Sequence, residues 1–259
     1  MSSSRLMVVG NKPTTYNLQP TTQNRITAKP QNRTNRTPVI QERLHNVLDS
    51  LTPGCRLVAV SKYHPAEAIL ACYNEGQRVF GESHEQEIRQ KHELLPKDIE
   101  WHFIGHLQTN KVKYIAPYID MVEACDSLKL MKEIEKQAAK NGRVIKVLLE
   151  LHIAEEESKY GLSLDDCRQL LADGEWRDMK HVSICGLMMM ASNTDDEEQI
   201  RREFTIAADF FDEVKAEYFA DDDNFRERSW GMSSDFKIAM QCRSTMVRVG
   251  TYIFGERQY

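Results

Sequence analysis

No apolar run in the 259 residues approaches the ~20 needed to cross a bilayer, so no membrane-spanning helix and no membrane partner are expected. The six cysteines (Cys55, Cys72, Cys125, Cys167, Cys185, Cys242) form no CxxC pair and no Cys/His cluster. That pattern argues against a disulfide framework and a structural zinc site, and for a reducing, cytoplasmic setting. A net charge of −5 leaves no nucleic-acid footprint. No GxGxxG follows the first apolar run, so a dinucleotide-binding open sheet lacks its signature.

Acidic residues are missing from positions 1–40, which hold six basic ones: Arg5, Lys12, Arg25, Lys29, Arg33 and Arg36. Residues 1–37 are also rich in Thr, Asn, Gln and Pro. Such a segment cannot bury enough apolar surface to offset its ordering entropy, and disorder is expected there. Basic, acid-free and Ser/Thr-rich is equally the composition of a mitochondrial transit peptide. Pro13, Pro20 and Pro30 interrupt any amphipathic helix, and both readings stay open.

From residue 38 to 259 the chain is regular. Pro38 suits a first helical turn, and Val39, Ile40, Leu44, Val47, Leu48 and Leu51 follow at helical spacing. Eight short apolar runs come next, at 57–62, 78–82, 101–106, 121–126, 146–153, 183–189, 228–233 and 247–255. Between them lie helical patterns at 66–75, 85–95, 107–118, 128–140, 164–172, 197–218 and 236–241. Alternating strands and helices imply a parallel sheet, and eight strands close a (β/α)8 TIM barrel. The last run lies four residues from the final residue, so the helix at 38–51 is expected to fill the place of the eighth helix.

In such barrels chemistry sits at the C-terminal strand ends. These ends carry Lys62, Glu82 with Ser83, His106, Asp126, His152, Ser192, Ser233 and Thr251. Lys62 closes the first run. It either returns the chain to solvent or stands as a half-buried amine, whose lowered pKa would make it a nucleophile toward aldehydes. Gly250 and Thr251 on the eighth run could offer bare amides and a hydroxyl to a phosphate. Ser233 precedes a short helix whose first amides could do the same. Packing glycines and a plain helix cap are the alternatives. Strands one and eight are neighbours in a closed barrel. An amine facing a phosphate site across that seam suggests pyridoxal 5′-phosphate (PLP), which needs both, and a partner for its ring nitrogen.

The motifs VSKYHP, FGESHEQE, WHFIGHLQTNK, EESKYG, GLMMMAS, SWGMSSDF and STMVRVGTYIFGERQY together resemble those of the PLP-binding homeostasis proteins, whose barrel is similar to that of alanine racemases. The resemblance implies an alanine-racemase-like barrel with an extra N-terminal helix and no C-terminal β domain. It implies PLP held as a Schiff base on Lys62, with Ser233, Gly250 and Thr251 at the phosphate and Arg248 at the pyridine nitrogen. Ser83 and Met232 join the cofactor site through their motifs. Two departures stand out: Gly81-Glu82-Ser83 where the family has GEN, and His152 where it has Asn. His152 is expected to be a polar packing residue.

Two functions follow from the resemblance. One is a non-catalytic carrier that buffers PLP and delivers it to apo-enzymes, most simply as a monomer. The other is an amino-acid racemase or another PLP-dependent enzyme. A two-base racemase needs a second proton donor across the cofactor, supplied in alanine racemase by a domain after the barrel. The chain is expected to lack one, which favours the carrier.

Overall fold

Eight strands pair in sequence order into a closed parallel barrel. This computed structural model describes residues 36–156 and 160–256. The chain runs α1 (Arg36–Ser50), β1 (Arg56–Val60), α2 (Ala66–Asn74), β2 (Val79–Glu82), α3 (Glu85–Leu94), β3 (Glu100–Phe103), then a 3-10 turn (Thr109–Lys111) leading into α4 (Val112–Ile115). It continues through β4 (Met121–Cys125), α5 (Leu128–Lys140), β5 (Ile145–Leu151), α6 (Leu164–Asp173), β6 (Val182–Met189) and α7 (Glu197–Tyr218). The last turn of the barrel is β7 (Glu227–Ser229), α8 (Phe236–Gln241), β8 (Met246–Val249) and α9 (Thr251–Phe254). Most of the expected tail at 1–37, part of EESKYG and the last three residues lie outside the described residues. Arg36 and Thr37, assigned to the tail, are helical in α1.

Parallel strands in such a barrel are covered on both faces, which is why they read as continuous apolar runs. One face fills the barrel interior with Val58, Met121, Ala124, Leu148, Cys185, Met188 and Met246. The other packs on the helices, with Leu57, Ala59, Phe80, Trp101, Leu149 and Phe204 in that layer. The seam between first and last strands pairs Val58 with Arg248 and Ala59 with Val249. α1 buries Ile40, Leu44 and Val47 and packs on α2 and α9, taking the place of an eighth helix as expected. Among the described residues no helix is long and apolar enough to cross a membrane.

Two expectations are corrected. The pattern at 107–118 yields only a short 3-10 turn and the four residues of α4, because Gln108 is extended and Pro117 brings no donor to a longer helix. Several strands also stop short of their apolar runs: β1 ends at Val60, β3 at Phe103, β7 at Ser229 and β8 at Val249. The residues beyond them are apolar for another reason: Met232 and Ile104, whose N–H still donates to Glu82 O at 2.8 Å, wall a cavity.

Candidate functional site

The C-terminal strand ends surround a cavity of about 430 Å3. Lys62, Met232, Ser233, Arg248, Gly250 and Thr251 all line it. Ser83 is reached through Lys62, whose Nζ donates to Ser83 Oγ at 3.2 Å. The structure thus gathers the seven predicted residues at one place. Ser83 fits so close because Gly105 faces it: a Cβ on Gly105 would stand 2.7 Å from that of Ser83.

Lys62 is half-buried and lies two residues past β1. Its backbone belongs to a tight turn in which His64 N–H donates to Ser61 O at 3.0 Å. The buried His64 ring stacks on Phe254, with centroids 5.1 Å apart.

On the opposite wall three amides stand ready. Among the described residues the N–H groups of Ser233, Ser234 and Thr251 make no backbone hydrogen bond. Asp235 shapes this wall by accepting the Met232 N–H. Thr251 is not the end of β8, as the sequence suggested, but the first residue of α9. The Gly250 amide is not bare, since it donates to Ser233 Oγ at 3.2 Å. Gly250 is glycine because the chain leaving β8 lies close against the end of β1, and a Cβ would meet the Val60 carbonyl oxygen at 2.9 Å.

Arg248 is 4% exposed and held at the cavity floor. Nη1 donates to Ser229 O at 2.7 Å and to Ser229 Oγ at 2.6 Å, and Nη2 to Met189 O at 2.8 Å. A guanidinium has five N–H donors, so two remain for a ligand. Burial disfavours its charged form, while Glu123, Glu150 and Asp235 favour it. Below it Ser229 Oγ donates to Glu123 Oε2 at 2.6 Å, and Glu123 Oε1 pairs with His102 Nδ1 at 2.7 Å. Burial works against the Glu123 carboxylate, but His102, Arg248 and Ser229 together hold its pKa below the usual value.

Other strand-end residues lie elsewhere. Glu82 points into the helix layer, where it meets Lys91 of α3 at 2.7 Å. His106 pairs with Asp126 Oδ2 at 3.1 Å and stacks on Tyr160. His152 bonds the Glu156 carbonyl at 2.9 Å. Ser192 is tied to Glu203 of α7 through its N–H and its hydroxyl, at 2.7 and 2.6 Å. The next residue, Asn193, lines the cavity instead, as do His64, Ile104 and Met190. The reading of the sequence missed these four. A signal for His64 was present, since it shares a motif with Lys62 two residues away.

These residues suit a small molecule that offers a carbonyl to an amine, a phosphate to a ring of amides, and an acceptor to a guanidinium. The described residues contain no cluster of His, Cys, Asp and Glu able to hold a metal ion.

Comparison with known proteins places this geometry. The family model of the alanine racemase N-terminal domain matches residues 38–258. A pyridoxal phosphate homeostasis protein of Aquifex aeolicus is 36% identical over 230 residues, covering 84% of this chain and 98% of that protein. One from Schizosaccharomyces pombe is 35% identical over 208 residues, covering 78% and 84%. The structure of PipY from Synechococcus elongatus PCC7942 with PLP bound matches with a TM-score of 0.76 at 34% identity, over 83% of this chain and all of that one. Alanine racemase of Bartonella henselae, at 14% identity and a TM-score of 0.63 over 61% of its length, shares the fold alone.

Proposed function

The chain belongs to the pyridoxal phosphate homeostasis family, with the alanine racemase N-terminal fold, and from that premise we propose that it binds PLP and holds or hands on the cofactor without turning over a substrate. The observation that carries this reading is the convergence of Lys62, the unpaired amides of Ser233, Ser234 and Thr251, and Arg248 on one cavity.

The residues present fit the cofactor's three handles. Lys62 is the amine that would hold the aldehyde carbon, and its half-buried position limits the solvation of its charge. The three amides with the Ser233 and Thr251 hydroxyls would hold the phosphate. The two remaining donors of Arg248 would face the ring nitrogen. PLP supplies an electron sink when its ring nitrogen is protonated. A guanidinium at that position disfavours the proton, so the sink is weak and a carrier role is favoured over transamination. Apo-enzymes that use PLP are the recipients this role implies.

The test uses the protein loaded with PLP. The wild type is expected to be yellow and Lys62→Ala to lose the band of the lysine-bound cofactor. A coloured Lys62→Ala protein would move the attachment elsewhere. With a panel of L-amino acids the loaded wild type is expected to form no D-enantiomer above background. Clear turnover would replace the carrier by a racemase.

A further inference from the structure

Behind the wall that carries Lys62 lies a buried ion cluster. Lys91 of α3 is 5% exposed. A lysine is that deeply buried only when its three N–H donors are matched. Here Nζ donates to Ser61 O at 2.8 Å, to Glu82 Oε1 at 2.7 Å and to Glu87 Oε1 at 2.6 Å. Glu82 Oε1 also accepts the Ser61 hydroxyl at 2.6 Å, and Glu87 Oε1 the Tyr63 N–H at 2.6 Å.

These bonds grip the two peptide groups on either side of Lys62. The carbonyl of the Ser61–Lys62 peptide goes to Lys91, and the N–H of the Lys62–Tyr63 peptide goes to Glu87. Just past them Tyr63 takes φ 65°, a left-handed conformation that a tyrosine keeps only where its surroundings over-determine it. Fastening α3 to β2 requires only the Lys91–Glu82 pair. The bonds to Ser61 O and Tyr63 N–H add nothing to that joint and instead fix the turn.

We propose that Lys91, acting with Glu87, is the positioning residue for Lys62: it clamps both flanking peptides so that the amine projects into the cavity rather than sweeping the rim. This rests on the reading that Lys62 is the amine that captures PLP. A rigid base matters because a displacement of about 1 Å can cost a hundredfold in a reaction that depends on orientation.

Apo-protein is mixed with PLP, the growth of the lysine-bound absorption is followed, and the adduct is fixed with borohydride and located by peptide mass spectrometry. Lys91→Met and Glu87→Ala are each expected to slow capture at least about tenfold and to spread the adduct from Lys62 to other lysines. Glu87→Gln keeps an oxygen for the Tyr63 N–H and is expected to stay within about threefold of the wild type. Phe204→Ala, a core change in α7, controls for lost stability and is expected to leave the adduct on Lys62. Capture at wild-type rate and site by folded Lys91→Met and Glu87→Ala overturns the clamp. Should Lys91→Met not fold, the Glu87→Ala and Glu87→Gln pair decides alone. If the wild type itself carries no adduct on Lys62, the attachment reading fails, whatever the variants do.

Discussion

Glu150 stands on β5 two residues beyond Leu148, so by strand alternation it shares the barrel interior. Its Oε2 is buried and has no hydrogen-bond partner among the described residues. Burial, with Asp126 adding and Arg248 opposing, pushes its pKa up to about 7. A carboxyl raised in this way stabilises the fold below its ordinary value of 4.5, and that contribution is lost as pH rises through about 7. Glu150→Gln keeps the shape and removes the buried charge. It is expected to raise stability at pH 8 by about 1–3 kcal/mol and change little at pH 4, read from urea midpoints at both pH values. An equal effect at both would mean that the loss of charge is not the cause. Much of the cavity was legible at this scale, because Lys62, Ser233 and Arg248 sit on or just past strands whose order fixes which side chains meet. Asn193 was not legible. Which of Ser192 and Asn193 faces the cavity is decided by Glu203, eleven residues on and in another element. The outward turn of Glu82 was equally hidden, since its partner Lys91 is one of many charges in α3.

Among the elements α1 has the most particular task, covering the side of the barrel between α2 and α9. Leu44 is fully buried in that contact. Leu44→Ala is expected to cost about 2–5 kcal/mol, measured as a lower denaturant midpoint. A loss below 1 kcal/mol would show that α1 is only loosely docked. The helices were largely legible because apolar spacing and caps mark their limits: Ser163 Oγ accepts the Asp166 N–H at 3.0 Å, at the predicted start of α6. The strand ends were not, because an apolar residue reads the same whether it joins a ladder or walls a cavity. Met232 is of the second kind, and Ile104 does both, its N–H bonding Glu82 O while its side chain walls the cavity. The 107–118 segment failed for a different reason. It carries helical spacing, yet the extended Gln108 delays the first turn and Pro117 follows soon after.

For the molecule as a whole, the barrel is unevenly fastened. β5 and β6 are paired along their length, whereas β7 and β8 share one register pair, Ser229 with Met246. Side chains supplement the backbone ladder there: Ser244 Oγ bonds the carbonyls of Arg228 and Trp230, and Arg248 reaches across to Ser229. Local opening is cheapest where the backbone ladder is thinnest. Amides at 227–231 and 245–249 are therefore expected to exchange with deuterium before those at 145–151. Loading with PLP is expected to slow them more than it slows β5, and equal protection of all strands would argue against this. Arg248 is both a wall of the cavity and a rivet of that seam. A ligand seated against it would therefore tighten the loosest joint of its own container, so that filling the cavity and closing the barrel are one event.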